Sequence, residues 1–107
     1  MEKIKVGDYV RTKDGEITRI VDTNMFDKTI YKDIQGAKYY LEDIVKHSPN
    51  IIDLIEVGDY VNGKLIHKVD IGKNYAYIYY GNCKTFTGYQ IKSIVTKEQF
   101  KIVSYEV

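Results

Sequence analysis

The sequence predicts an all-β protein made of two tandem copies of one small unit. Two observations lead to this prediction: a seven-residue motif recurs later in the chain, and short alternating apolar segments are separated by turn residues every eight to twelve or so positions. Composition agrees, since eleven tyrosines stand beside three phenylalanines, one proline and no tryptophan, and tyrosine favours half-buried strands. A chain of 107 residues with 44% hydrophobic content is long enough for two very small domains.

The recurring motif defines the internal repeat. Ile-Lys-Val-Gly-Asp-Tyr-Val at 4–10 returns as Ile-Glu-Val-Gly-Asp-Tyr-Val at 55–61, with six of seven positions identical. Two later blocks match in the same order, at a shift of 50 residues: 41–45 with 91–95, and 52–57 with 102–107. A shared motif and two further blocks in register indicate a duplication.

The repeat predicts a first domain over residues 1–54 and a second over 55–107, with no linker between them. A unit of about fifty residues buries only some 60% of its unfolded surface and is marginal alone. We therefore expect the two copies to dock as a rigid tandem, or the chain to form a homodimer.

Turn residues mark the hairpins within each copy. The first hairpin turns at Lys13-Asp14-Gly15 in copy one and at Asn62-Gly63-Lys64 in copy two, where glycine supplies the positive φ of a tight turn. A central hairpin follows in each, through 29–32 and through 74–80, the latter turning at Gly81-Asn82.

Two helix-start signals lie near the ends of the copies. Thr96-Lys97-Glu98-Gln99 fits a capping box, and Ser48-Pro49 offers an N-cap followed by proline at the first helical position. Because β-type sequence resumes within a few residues, we expect one short helical turn before the last strand of each copy.

The opening segment of the chain, residues 6–17, resembles the start of SH3-like and KOW-type barrels, in which a Gly-Asp turn leads into the first strand. The resemblance implies two tandem SH3-like small β-barrels. Barrels of this kind bind peptides, RNA, DNA or other domains, so the fold alone does not select a function.

A wider similarity, covering most of the chain, is to small uncharacterised proteins of phages and prophages of Gram-positive bacteria. The segments that carry it are 44–63 and 94–100. It implies a small accessory protein in the cytoplasm of a bacterial host, of the type that inhibits host defence by blocking a nuclease, as anti-CRISPR proteins do, or by sequestering a cyclic nucleotide signal.

Catalytic and metal-binding patterns are not found in the sequence. It lacks a phosphate-binding glycine loop, the H-E-x-x-H motif and paired cysteines, so we expect no enzyme, no cofactor and no metal. His47 and His67 are the two residues suited to act as general bases near neutral pH, and we expect both to be solvated surface residues. The single Cys83 is expected to be an ordinary thiol.

The segment 75–80, Tyr-Ala-Tyr-Ile-Tyr-Tyr, is the most informative for binding. Strand alternation places Tyr75, Tyr77 and Tyr79 on one face, which we predict to be a contact surface. Lysines of the second copy, Lys73 and Lys84 among them, give the segment 60–101 a charge balance of +5 although the whole chain carries only +1. The alternative is that the three tyrosines pack between the two copies.

Two further candidates lie in the first hairpin and the following loop. Arg11 and Arg19, the only arginines, are predicted on one face, where they either meet phosphate or form an ordinary solvated surface. Tyr39-Tyr40 follows a glycine-containing segment and is a candidate loop-borne contact.

The preferred hypothesis is a non-catalytic phage-type inhibitor that binds a host defence protein or a nucleotide signal. Two other classes stay open: a KOW-like nucleic-acid-binding module, and a structural or assembly protein of the virion. They differ in prediction, since nucleic-acid binding falls steeply with salt and a virion component forms stable oligomers.

Overall fold

The computed structural model describes residues 3–24, 26–27 and 29–104, with side chains described to residue 100. Strands make up most of its regular structure, so the predicted all-β class is confirmed. The chain divides into two compact units, unit 1 over residues 1–50 and unit 2 over 51–107, whereas the repeat places the division after residue 54.

Unit 1 contains six short strands in two antiparallel sheets. β2, β1 and β6 form one sheet in that order, and β3, β4 and β5 form the other. Their bounds are β1 Tyr9–Thr12, β2 Ile17–Arg19, β3 Asp22–Thr23, β4 Ile30–Lys32, β5 Lys38–Tyr40 and β6 Ile44–Ser48, with a 3-10 turn at Leu41–Asp43.

Unit 2 contains one five-stranded antiparallel sheet in the order β10-β9-β8-β7-β11. The strands are β7 Tyr60–Val61, β8 Lys64–Ile71, β9 Ala76–Tyr80, β10 Lys84–Phe86 and β11 Ile94–Val95. Two 3-10 turns, Ile51–Leu54 and Gly88–Gln90, and the helix α1, Lys97–Ser104, complete the unit.

Strands follow one another in the same order in the two units. The single long β8 takes the place that β2 and β3 share in unit 1, and a 3-10 turn precedes the last strand of each unit. These 3-10 turns, Leu41–Asp43 and Gly88–Gln90, lie earlier in the chain than the two helix-start signals read from the sequence, and the last strands expected after those signals are not formed, since 51–54 is a 3-10 turn and 102–104 is helical. Closure of either unit into a barrel stays a prediction.

The repeated Gly-Asp motif forms the same turn twice. In unit 2, Gly58 has φ of 99°, the N–H of Asp59 donates to the carbonyl of Glu56 at 3.1 Å, and Asp59 Oδ2 accepts from the Glu56 N–H at 2.7 Å. A positive φ at the third residue of such a turn favours glycine. Unit 1 repeats all three features with Lys5, Gly7 and Asp8.

This turn precedes the first strand of each unit, and backbone hydrogen bonds join it to the chain segment that pairs with that strand. The Gly58 N–H donates to the carbonyl of Ile66 at 2.9 Å, and the Ile66 N–H donates to the carbonyl of Asp59 at 2.8 Å. In unit 1, Gly7, Asp8 and Ile20 make the equivalent pair of bonds. The motif is thus a structural corner of each unit.

Buried apolar side chains form a core in each unit, and some of them occupy equivalent repeat positions, such as Val10 and Val61. In unit 1, Ile4, Val10 and Ile20 are buried together with Tyr31, Tyr39 and Ile44. In unit 2 the buried apolar residues are Ile52, Leu54, Ile55, Val61, Ile66 and Ile78. Burial of such side chains supplies about 1.5–3 kcal/mol each before the cost of chain entropy is subtracted.

Tyr39 corrects one sequence-based expectation. It belongs to β5 and is only 7% exposed, so it is a core residue rather than a loop-borne contact, while its neighbour Tyr40 is 45% exposed. The Tyr39 hydroxyl lies 2.8 Å from Glu16 Oε1 and 3.1 Å from Asp33 Oδ2. Burial, followed by the hydrogen bonds to these two carboxylates, raises the pKa of Tyr39 above its usual range.

The C-terminal helix is longer than the single turn expected. The capping box forms as predicted, with the Gln99 side chain accepting from the Thr96 N–H at 3.1 Å, but α1 then continues to Ser104. Phe100 packs on the ring of Tyr60 with 5.1 Å between centroids, which anchors the helix to unit 2. The β-type sequence from residue 102 is therefore helical as far as 104, and 105–107 lie outside the described residues.

The Ser48 signal also gives a different local structure. Ser48 ends strand β6, and its hydroxyl accepts from the Asn50 N–H at 3.1 Å. The 3-10 turn begins only at Ile51. Strand pairing with β1, where Ser48 lies opposite Tyr9, thus overrides the local preference of Ser-Pro for a helix start.

Replacing Asp59 with alanine is expected to destabilise unit 2 by about 2–4 kcal/mol, because the backbone N–H groups of Glu56 and Lys97 lose the buried carboxylate that accepts their hydrogen bonds. Hydrogen exchange of the Ile66 and Val61 amides measures this change. Asp70→Ala, at a partly exposed position, serves as the control. A loss below about 0.5 kcal/mol for Asp59→Ala would show that the corner does not depend on this carboxylate.

Acid is expected to destabilise unit 1 through Asp33. Burial raises the pKa of this carboxyl, but hydrogen bonds from Ala37, Tyr39, Gln35 and Thr18 outweigh burial, so its pKa lies below the usual 3.8. A depressed pKa in the folded state gives stability that is present above pH 3.8 and is lost as pH falls through the folded value.

The variant Asp33→Asn separates this contribution from those of the other carboxylates. It should be less stable than wild type at neutral pH, and its unit 1 amides should lose less protection between about pH 4 and pH 2. Amide signals of Val10 and Ile20, followed during thermal unfolding at several pH values, give the comparison. Parallel pH profiles for the two proteins would contradict the assignment.

Candidate binding surface

Three tyrosines form a row in unit 2, which we call the tyrosine stripe: Tyr75, Tyr77 and the half-buried Tyr79. The ring centroids of Tyr75 and Tyr77 are 5.9 Å apart, and those of Tyr77 and Tyr79 are 6.4 Å apart. Tyr75 is 49% exposed and Tyr77 is 46% exposed. The alternate residue Ile78 is fully buried, so the stripe lies on the outer face of β9, as strand alternation requires.

The neighbouring strand supports the stripe at two points. Lys68 lies opposite Tyr79 in the β8–β9 pairing, with its Nζ 5.2 Å from the centre of that ring. Such a cation over an aromatic face contributes about 0.5–1 kcal/mol at an exposed position. Asp70 lies opposite Tyr77, so the stripe carries one positive and one negative neighbour on the same sheet face.

Gly72 fixes the other end of the stripe. Its N–H donates to the Tyr75 carbonyl at 2.8 Å, and the Tyr75 ring lies directly over its α-carbon. A Cβ atom at residue 72 would be 2.3 Å from Tyr75 Cε1, which is closer than two carbon atoms can approach. Glycine at this position therefore lets the tyrosine ring fold back onto the turn.

The two lysines predicted as contacts lie in different places. Lys73 is exposed in the turn between β8 and β9, next to Gly72 and close in sequence to the stripe. Lys84 begins β10 and pairs with Tyr80, whose side chain points to the opposite face from the stripe. The lysines of unit 2 thus do not all surround the tyrosines.

The two arginines also have different environments. Arg11 in β1 has no exposed surface, so its guanidinium is not available to a ligand at the surface. Arg19 in β2 is exposed and lies over the ring of Tyr9, its pairing partner, at 5.9 Å. Alternation places both on one sheet face as predicted, but the expectation that both belong to a solvated surface is wrong for Arg11.

Of the two histidines and the cysteine, one histidine is largely buried and the other two residues are exposed. His47 was expected on the solvated surface, but its side chain is only 12% exposed and its Nδ1 lies 3.2 Å from Asp8 Oδ2. His67 is exposed, and its Nε2 lies 3.0 Å from the Gly81 carbonyl oxygen. Cys83 is an exposed thiol in the β9–β10 turn, with φ of 62°.

Comparison with known proteins gives no assignment. No protein-family model matches the chain, and searches of curated proteins and solved structures return no match. Within the part of the chain that the structure describes, no group of three or more His, Cys, Asp or Glu side chains is arranged to hold a metal ion. The described residues also include no helix long and apolar enough to cross a membrane.

Sequence reasoning missed two features of unit 2. The first is the contact between Gly72 and Tyr75, for which the only signal is a glycine three residues before an aromatic residue. The second is a cavity of about 410 Å³ near Tyr80, on the face opposite the stripe. Its lining residues come from three separate strands and turns, so no local pattern marks them.

Replacing Gly72 with alanine is expected to move the Tyr75 ring away from the turn and to break its contact with Tyr77. Because the end of a side chain can swing outward, the free energy of unfolding should change by less than about 1 kcal/mol. Nuclear Overhauser effects between the two rings report the contact. Gly88→Ala, where a Cβ meets open space, is the matched control, and unchanged ring contacts in Gly72→Ala would refute the arrangement.

Proposed function

We propose that this chain is a non-catalytic binding protein, a phage-type inhibitor that uses the tyrosine stripe to cover a surface of a host defence protein such as a nuclease. The observation that carries the proposal is the row of three tyrosine rings along the outer side of the β8–β9 hairpin, in which Tyr75 and Tyr77 are exposed and Tyr79 is half-buried.

Tyrosine suits protein recognition for energetic reasons. Its ring gives a large amphipathic contact area while only two side-chain torsions have to be fixed. In the stripe, Gly72 and Lys68 already restrict the outer rings, so less side-chain entropy is lost on binding. Preformed aromatic rows of this kind are typical of the residues that dominate binding energy at protein interfaces.

The charge beside the stripe favours a protein partner over a nucleic acid. Lys68 and Asp70, which lie opposite the tyrosines on β8, carry opposite charges, and Lys73 in the adjoining turn leaves a net charge of about one beside the stripe. Recognition of a single strand combines stacked bases with a positively charged path for phosphates. An aromatic surface with so little net charge matches instead the composition of protein interfaces, which are rich in aromatic residues and poor in net charge at their centre.

The choice of a defence protein as the partner rests on the resemblance to small phage and prophage proteins, through residues 44–63 and 94–100. Accessory proteins of that kind work inside the bacterial cytoplasm and often act by occupying a host protein. The nucleic-acid-binding and virion alternatives are separated from this proposal by the outcomes of the experiment below.

The test compares the tagged full-length protein with Tyr77→Ala and Tyr89→Ala. Tyr77 is the centre of the stripe, whereas Tyr89 is a fully exposed tyrosine on the Gly88–Gln90 turn and controls for loss of one ring. The partner captured from lysate of a Gram-positive host is purified, and its binding to each variant is measured by calorimetry. Tyr77→Ala should bind at least about tenfold more weakly, and Tyr89→Ala should bind like wild type.

Inhibition of the partner should follow the same order. If the partner is a nuclease, wild type and Tyr89→Ala should reduce its cleavage rate at concentrations where Tyr77→Ala does not. Equal effects of the two substitutions would refute the stripe as the contact surface. Salt-sensitive binding of a labelled oligonucleotide, or stable oligomers that bind no host protein, would replace the proposal with the nucleic-acid or the virion alternative.

A further inference from the structure

A second surface of unit 2 differs from the stripe because it is concave and lined by positively charged residues. Near the end of the β8–β9–β10 sheet lies a cavity of about 410 Å³, open to solvent, whose lining includes Lys64, Leu65, His67, Tyr80, Asn82 and Lys84. The volume is within the range of small-molecule sites, about 300–1,000 Å³. All of its lining residues belong to unit 2.

A β-bulge shapes one wall of this cavity. In the β8–β9 pairing Ile66 lies opposite Tyr80 and Lys68 lies opposite Tyr79, so His67 is an extra residue in β8. Bulges redirect a side chain relative to the regular pleat. Here the bulge places the His67 imidazole against the Gly81 carbonyl, to which Nε2 donates at 3.0 Å, and this bond holds the ring at the cavity wall.

An aromatic ring forms another wall. Tyr80 lies nearly parallel to Phe86, with 4.2 Å between ring centroids and 15° between planes. Contact over the whole ring holds Tyr80 in place, so the cavity has a flat, preformed side. Asn82, in the adjoining turn, adds an amide that can both donate and accept hydrogen bonds.

The charges around the cavity have one sign. Lys64 and Lys84 contribute ammonium groups, His67 adds a third nitrogen-based group, and the lining includes no carboxylate. The cavity of about 250 Å³ in unit 1 makes a useful contrast, because Asp14, Glu16 and Asp43 accompany its two lysines. Cationic groups that converge on a concave surface raise the local concentration of anions.

We infer that the unit 2 cavity binds the phosphate group of a small phosphate ester, with Lys64 and Lys84 contacting phosphate and the Tyr80 side offering a flat surface to the rest of the ligand. Mononucleotides have this combination of a dianionic phosphate and a planar base. The inference does not depend on the tyrosine stripe, which lies on the other face of β9.

The test is a titration of the full-length protein with three probes: inorganic phosphate, adenosine monophosphate and a single-stranded oligonucleotide. Amide NMR signals locate binding, and calorimetry measures affinity. We expect saturable shifts at His67, Gly81 and Asn82, with the mononucleotide bound more tightly than phosphate alone. No saturable shift at these residues up to about 1 mM of any probe would overturn the inference.

Charge-reversal variants distinguish a site from general attraction. Lys84→Glu should weaken mononucleotide binding by roughly tenfold or more, whereas Lys92→Glu, the same change at an exposed lysine outside the cavity, should alter it less than about twofold. Equal weakening by both variants, or binding of the oligonucleotide alone with steep salt dependence, would show diffuse attraction instead of a site.

Two further controls keep the result interpretable. Lys64→Gln removes one charge without reversing it and should give a smaller loss than Lys84→Glu. Tyr77→Ala, which alters the stripe, should leave mononucleotide binding unchanged, so failure of this inference and failure of the proposed function give different results. Circular dichroism and thermal unfolding confirm that each variant is folded.

Discussion

The buried carboxylate of the repeated Gly-Asp turn is the constraint on which each unit depends. Asp59 is fully buried and accepts backbone N–H groups from Glu56 and from Lys97, the first residue of the helix. A buried anion is tolerated only when it is well supplied with hydrogen bonds, so the chain before the turn and the helix after the last strand must both be in place. In unit 1, Asp8 has the same local role, but His47 of the last strand supplies its second contact. The aspartate of the motif thus contacts residues near the beginning and near the end of each unit.

The strands that follow this Gly-Asp turn differ in length between the two units. In unit 1 the strand after the corner is interrupted between β2 and β3, and Tyr31 of the short β4 points into the core. In unit 2 the equivalent β8 is eight residues long and continuous apart from the bulge at His67, and it pairs with a five-residue β9. The longer hairpin extends past the buried residues Ile66 and Ile78. Its outer face can therefore hold tyrosines that take no part in packing the core. The difference in strand length therefore explains why the row of tyrosines lies in unit 2.

Local patterns predicted much of this correctly. The Asn62-Gly63 turn, the capping box at Thr96 and the placement of alternate tyrosines on one face of a strand all depend on neighbouring residues, and the sequence carries that information directly. The burial of Arg11 and Tyr39, the contact of His47 with Asp8 and the extension of α1 depend on residues distant in sequence. Phe100, for example, is stabilised in a helix by Tyr60, forty residues earlier, and no local propensity contains that contact. A single sequence therefore predicts the turns and caps of each unit better than it predicts contacts between side chains that are distant in sequence.

The β8–β9 hairpin separates two kinds of chemistry by the alternation of a strand. Tyr77 and Tyr79 point to one face, where Lys68 and Asp70 balance each other, while Tyr80 points to the other face, towards Lys84. A shift of one residue in the strand register would exchange these neighbours and mix the aromatic and cationic groups. The bulge at His67 matters for the same reason, since it lets Ile66 stay in the core while Lys68 reaches the stripe. The same irregularity in β8 thus sets both the aromatic surface and the cationic cavity, and it keeps them chemically distinct on opposite sides of one sheet.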